Sequence, residues 1–129
     1  MKTASFFTAK GPGRISIARS APRGIEPGYR QFRALAPGKW FKSVTKEEYR
    51  ALYAREILAP LDPRATFEAL CALAGGAEPV LLCWERPPFT DTNWCHRRLV
   101  AEWFGEKLGI DVAEAEPDSS QVSLGFSEQ

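Results

Sequence analysis

The sequence predicts an α/β protein, a small single domain with a mostly parallel sheet flanked by helices. Three observations carry that expectation. Residues 79–84 read PVLLCW, an unbroken apolar run of the kind that forms a strand covered on both faces inside a parallel sheet. Residues 14–19 read RISIAR, where Ile15 and Ile17 alternate with Arg14, Ser16 and Ala18 at the period of a strand. Between and after these runs lie amphipathic segments with their own start and stop signals, the alternation of element types that builds α/β layers. At 129 residues with 44% hydrophobic content, the chain has the size and composition of one globular domain.

Each element has a local reason. Ala4–Thr8 is short and β-prone, and Gly11-Pro12-Gly13 breaks the chain before the Arg14–Arg19 strand. Residues 20–39 hold three prolines and three glycines and read as loop, with a short strand or turn near Tyr29–Leu35. Thr45 followed by Glu48 forms a capping box, and Tyr49, Leu52, Tyr53 and Ile57 make the apolar face of a helix that Pro60 ends. Asp62-Pro63 starts a second helix with a carboxylate cap and a proline at the first position, where its missing donor costs nothing. Phe67, Leu70, Cys71 and Ala74 form its stripe, and Gly75-Gly76 close it. After the Pro79–Trp84 strand and a loop over 85–92, a last helix is expected from about Trp94 to Leu108. Thr92 or Asn93 is its expected cap, Leu99, Val100, Trp103, Phe104 and Leu108 are its stripe, and Gly109 stops it. Residues 1–113 are read as the domain and 114–129 as an acidic, polar tail or a weak extra strand.

Composition excludes several classes. No apolar run approaches the ~18 residues of a membrane span, and the N-terminus lacks the apolar core of a signal peptide. Three cysteines do not make a secretory disulfide framework, so a cytoplasmic, reducing compartment is expected. The net charge of +1 hides an asymmetry: residues 1–40 carry +7 and residues 91–129 carry −5. The basic segment suits an anionic partner, or else neutralises the acidic segment of the same domain. The overall balance argues against a dedicated nucleic-acid binder.

One stretch concentrates rare residue types. Cys83-Trp84-Glu85 and Trp94-Cys95-His96-Arg97-Arg98 hold two of three cysteines, two of four tryptophans and the only histidine. If the two strands are parallel neighbours, the carboxyl end of the first brings Arg19 and Arg23 to these groups, at the place where open α/β sheets bind ligands. Three chemistries compete. The first is anion binding by Arg19, Arg23, Arg97 and the helix N-terminus, with Trp84 or Trp94 stacking on a ring and Glu85 reading a polar edge. Its plainer counterpart pairs an arginine with Glu85 and packs the tryptophans in the core. The second is thiol chemistry, with Cys95 activated by the helix start, His96 and the arginines, and Cys83 as resolving partner. Its counterpart is that both cysteines are simply buried. The third is zinc, from Cys83, Cys95 and His96 with Glu85 or Cys71. The spacing matches no standard zinc pattern and adjacent Cys-His ligands are geometrically awkward, so no metal and no cofactor are assigned. Lys39-Trp40-Phe41 reads as a hydrophobic anchor with a solvated lysine, or as a cation-and-aromatic binding edge. There is no Walker loop, no G-x-G-x-x-G and no G-x-S-x-G.

At these residues the sequence resembles domain-of-unknown-function family 488, which includes the YeaO-like group. The resemblance rests on Leu81-Leu82-Cys83, Cys95-His96-Arg97, Arg19 before Pro22-Arg23-Gly24, and Lys39-Trp40-Phe41, and spans roughly residues 14–108. Two features depart from that pattern: the loop between the cysteines is longer, and the first strand lacks a glycine-tyrosine opening. The resemblance implies a compact α/β fold and brings no established reaction. The expected function is binding of a small anionic, nucleotide- or nucleoside-like ligand. The alternatives are a thiol-dependent enzyme using Cys95 with His96, and a protein-interaction module.

Overall fold

A computed structural model describes residues 1–90 and 92–115. Five strands form one all-parallel sheet in the order β3-β2-β4-β1-β5. They are β1 Lys2–Ser5, β2 Arg14–Ser16, β3 Arg30–Gln31, β4 Val80–Cys83 and β5 Ala113–Glu114. Three α-helices complete the fold: α1 Lys46–Leu52, α2 Pro63–Ala74 and α3 His96–Leu108. Single turns of 3₁₀ helix lie at Arg33–Leu35 and Lys39–Lys42. The α/β expectation holds, and no described helix is long and apolar enough to cross a membrane.

The central strand is the apolar run. β4 pairs with β1 on one side (Leu81 opposite Thr3) and with β2 on the other (Leu81 opposite Ile15). The two faces of the sheet are covered differently. Leu81, Ile15 and Ile17 join the larger core with Leu35, Tyr53, Leu70, Val100 and Phe104, so the helices cover that face. Leu82 and Ala4 point to the other face, which among the described residues is covered mainly by loop residues such as Phe6, Ile25 and Tyr29. The eight residues 6–13 connect β1 to β2 with no helix, and the connection closes at Gly13. That residue has φ +88°, its carbonyl accepts from the Val80 amide at 2.8 Å, and a Cβ there would meet the Glu78 carbonyl. Buried Arg14 ties the same loops together by donating to the carbonyls of Gly11, Glu26 and Pro27.

The helix starts follow the sequence. The Glu48 amide donates to Thr45 Oγ1 while the Thr45 amide donates to Glu48 Oε1, a complete capping box. The Ala65 amide donates to Asp62 Oδ2 at 2.8 Å, and Gly75 and Gly109 end α2 and α3 in the left-handed region. Three details differ. A π-helical turn, Tyr53–Leu58, follows α1. Its extra residue per turn moves the inward position from Ile57 to Leu58, so Tyr49, Tyr53 and Leu58 are the buried positions. In α2 the inward stripe is Thr66, Leu70 and Ala74, spaced by four, which leaves Cys71 exposed. The third helix starts at His96 with Cys95 as N-cap and no side-chain cap. Asn93, one of the expected caps, instead donates through Nδ2 to the carbonyls of Arg86 and Pro88 and holds the preceding loop. Glu114, the first residue of the expected tail, lies in β5; residues 116–129 of that tail lie outside the described residues.

Candidate functional site at the strand ends

Because β2 and β4 are parallel neighbours, their carboxyl ends open on the same side. There they border a cleft of about 480 Å³. Ala18, Arg19 and Ser20 enter it from the end of β2, and Cys83, Trp84 and Glu85 from the end of β4. The loop into α3 supplies Thr92, Trp94, Cys95 and His96. Phe41 and Lys42, from the 3₁₀ turn before α1, and Tyr49 of α1 close the wall. Lys42 and Tyr49 are additions that the sequence reading did not include; Tyr49 was expected only as core. Of the Lys39-Trp40-Phe41 element, Phe41 reaches the cleft, while Trp40 packs edge-on against Tyr49 and donates to Glu56.

The sulfur atoms of Cys83 and Cys95 are paired as a disulfide in this wall, and both residues are buried. A strand end and a helix cap, twelve positions apart in sequence, bring them together. His96 follows directly. Its Nε2 lies 2.7 Å from the Ile17 carbonyl oxygen and its Nδ1 lies 3.9 Å from Cys95 Sγ. A carbonyl only accepts, so Nε2 carries the proton and Nδ1 turns its lone pair toward Cys95. Burial pulls the His96 pKa down to about 4, with the Arg97 charge adding to the effect and the Ile17 hydrogen bond opposing it. The ring is therefore neutral at physiological pH. Burial raises the Tyr49 phenol, and the Glu85 charge adds to that, so Tyr49 stays a neutral hydroxyl.

The arginines divide. Arg19 is at the rim, donating to the Pro37 carbonyl at 3.0 Å, with its guanidinium 5.5 Å from the centre of the Phe41 ring. Lys42 lies over the same ring at 5.4 Å. Arg23 is exposed and does not line the cleft. Arg97 is fully buried and faces away from it. Its Nε and Nη2 donate to both carboxylate oxygens of Glu114 (3.0 and 2.7 Å), and its Nη1 donates to Cys83 Sγ at 3.3 Å. Phe89 covers the guanidinium at 4.9 Å. Arg98 donates to Thr3 Oγ1 and the Val112 carbonyl. Both arginines of α3 thus dock β5 rather than facing a ligand. Trp84 is 43% exposed, donates to the Ser20 carbonyl and stacks edge-on with Phe7; Trp94 packs edge-on against Tyr49 at 4.5 Å.

No curated protein matches this chain, and no solved structure does. Residues 15–104 match the family described as "Domain of unknown function DUF488", a span that runs from β2 into α3 and includes both paired cysteines and the histidine between them and Arg97. The chain belongs to that family.

Proposed function

We propose that this protein carries a reversible dithiol–disulfide couple, Cys83 with Cys95, that acts on a small anionic disulfide in the cleft. One observation carries the reading: the paired sulfurs stand in the cleft wall with the basic nitrogen of His96 facing Cys95. In the reduced state the Cys95 thiol faces the neutral His96 Nδ1, which takes the proton only as the sulfur attacks. Cys95 Sγ attacks one sulfur of the substrate disulfide, forming a mixed disulfide and expelling the other half as a thiolate, which the imidazolium protonates. The Cys83 thiol, with Arg97 Nη1 donating to its sulfur, then attacks Cys95 sulfur and gives its proton to the departing half. The internal disulfide forms, the second half of the substrate leaves as a thiol, and two electrons have passed from protein to substrate. Cys95 is the attacking group because it caps a 13-residue helix and has the base; Cys83 is more deeply buried and has only the cation. Arg19 and Lys42 at the rim support an anionic substrate, and Trp84 and Trp94 supply flat surfaces for it.

Equilibration in small-molecule thiol/disulfide buffers, followed by mass spectrometry of the alkylated chain, tests this reading. A Cys83–Cys95 bond that forms and breaks reversibly is expected, with fast alkylation of Cys95 in the reduced form and a rate at least tenfold lower in His96→Gln. An alkylation rate independent of His96, or a pair that never re-forms, overturns it.

A second reading keeps the cleft as a binding site for a nucleotide- or nucleoside-like anion without thiol chemistry. The rim pair Arg19 and Lys42 favours it, with the stacking surfaces beside them. It predicts thermal stabilisation by such a ligand, about 2.7 kcal/mol at a hundredfold excess over Kd, that Arg19→Ala reduces and Arg97→Lys leaves in place.

A further inference from the structure

The atoms that meet in the cleft wall are also those of a soft-metal ligand set. Sγ of Cys83, Sγ of Cys95 and a ring nitrogen of His96 lie within 4.8 Å of one another, and all three residues are buried. Adjacency of Cys95 and His96 argues against a shared ion when only the sequence is in view. The structure removes that objection. Cys95 caps the helix in an extended conformation while His96 is its first helical residue, so the two side chains converge and Sγ and Nδ1 stand 3.9 Å apart. Sulfur and nitrogen on one tetrahedral zinc-class ion, at ~2.3 and ~2.0 Å from it, are separated by roughly 3.5 Å. The cysteine Cα atoms are 7.0 Å apart, enough for the sulfurs to separate and share an ion once the disulfide is reduced.

The surroundings point the same way. The Ile17 carbonyl fixes the tautomer that leaves Nδ1 with its lone pair, the arrangement in which metal-bound imidazoles donate their other N–H to a backbone carbonyl. Arg97 Nη1 donates to Cys83 Sγ and balances thiolate charge, as hydrogen bonds to ligating sulfurs do. The cleft lies open beside the three atoms.

We propose that the reduced protein binds one thiophilic divalent cation of the zinc class through Cys83 Sγ, Cys95 Sγ and His96 Nδ1, with the fourth coordination position open to the cleft. Binding displaces two protons, one from each thiol. A small disulfide that takes two electrons from the thiolates leaves the Cys83–Cys95 bond in their place and releases the ion. The proposal shares with the dithiol reading only the requirement that the pair can be reduced.

Cobalt(II) is the probe. A Cys71→Ser chain, which removes the exposed third thiol, is reduced with a phosphine and titrated anaerobically. The expected result is the intense visible spectrum of tetrahedral cobalt with a thiolate-to-metal charge-transfer band, saturating at one ion per chain and erased by zinc. His96→Gln is expected to bind at least tenfold more weakly while keeping the thiolate band. A reduced chain with both thiols free and no cobalt spectrum overturns the proposal, and so does wild-type affinity in His96→Gln or saturation at one ion per two chains. Because the titration on the otherwise native chain is decisive, a variant that fails to fold does not shield the idea. Reversible disulfide exchange without cobalt binding defeats the metal site alone, and cobalt binding without exchange defeats the dithiol reading alone.

Discussion

His96 is neutral in the folded chain at a pH where an unfolded histidine takes a proton, and this makes stability depend on pH. Its pKa is about 4 in the fold against 6.5 for the free group. Between those values the unfolded chain binds a proton that the folded chain refuses, so stability is full above about pH 6.5 and falls as the pH drops toward 4. At about 1.4 kcal/mol per unit, the loss reaches roughly 3 kcal/mol. Urea unfolding at about pH 7 and about pH 4.5 is expected to show a markedly smaller difference for His96→Gln, which keeps a donor for the Ile17 carbonyl but does not titrate. An undiminished difference assigns the acid sensitivity elsewhere. Glu114 matters for another reason. Its carboxylate is the counter-ion of a guanidinium with no exposure, so Glu114→Ala leaves a buried charge unpaired. The cost is expected to be about 3 kcal/mol, at the low end for broken buried pairs because Glu114 is itself one-fifth exposed. Chemical denaturation reads it.

At the scale of elements, the caps are the clearest sequence-to-structure links. Thr45→Ala and Asp62→Ala each remove an acceptor for an exposed amide and are expected to cost about 1 kcal/mol. The two sites share no partner, so the double variant is expected to lose the sum, measured by urea midpoints at constant m value. A larger loss in the double variant means that the two helices unfold as one unit. These elements were legible because their signals act within one turn. The starts at Thr45 and Asp62 and the stops at Gly75 and Gly109 are local hydrogen bonds and local dihedrals. The start of α3 was not: the helix begins at His96 with Cys95 as N-cap, two positions beyond Asn93, whose Nδ2 donates to the loop carbonyls of Arg86 and Pro88. The π turn was likewise hidden, since an apolar pattern with Ile57 and Leu58 adjacent fits either register.

For the whole molecule, the Cys83–Cys95 pair closes a loop across the site. With a sequence separation of 12, loop-closure entropy puts its contribution at about 3 kcal/mol. Adding a reductant is expected to lower the melting temperature by on the order of 10 °C, and Cys71→Ser is expected to leave that shift unchanged. No shift on reduction means that the two thiols are unpaired in solution. The sheet's uneven cover is also a property at this scale. Among the described residues, helices protect one face and loops the other, so the Phe6, Leu82 and Tyr29 side rests on turns such as Gly13 and on the buried Arg14 guanidinium.

The sequence by itself determined the element types, most helix ends and the central place of the PVLLCW strand. All of these depend on interactions within about four residues or on the period of apolar positions. Only the tertiary structure decided that Arg97 and Arg98 turn inward to β5, that Arg23 stays outside the cleft, that Lys42 and Tyr49 enter it, and that the two sulfurs meet with His96 beside them. Those outcomes depend on the register of β2 against β4 and on the rotation of α3 about its axis. Both are set by packing among residues that lie tens of positions apart in the chain, and no local pattern records that packing.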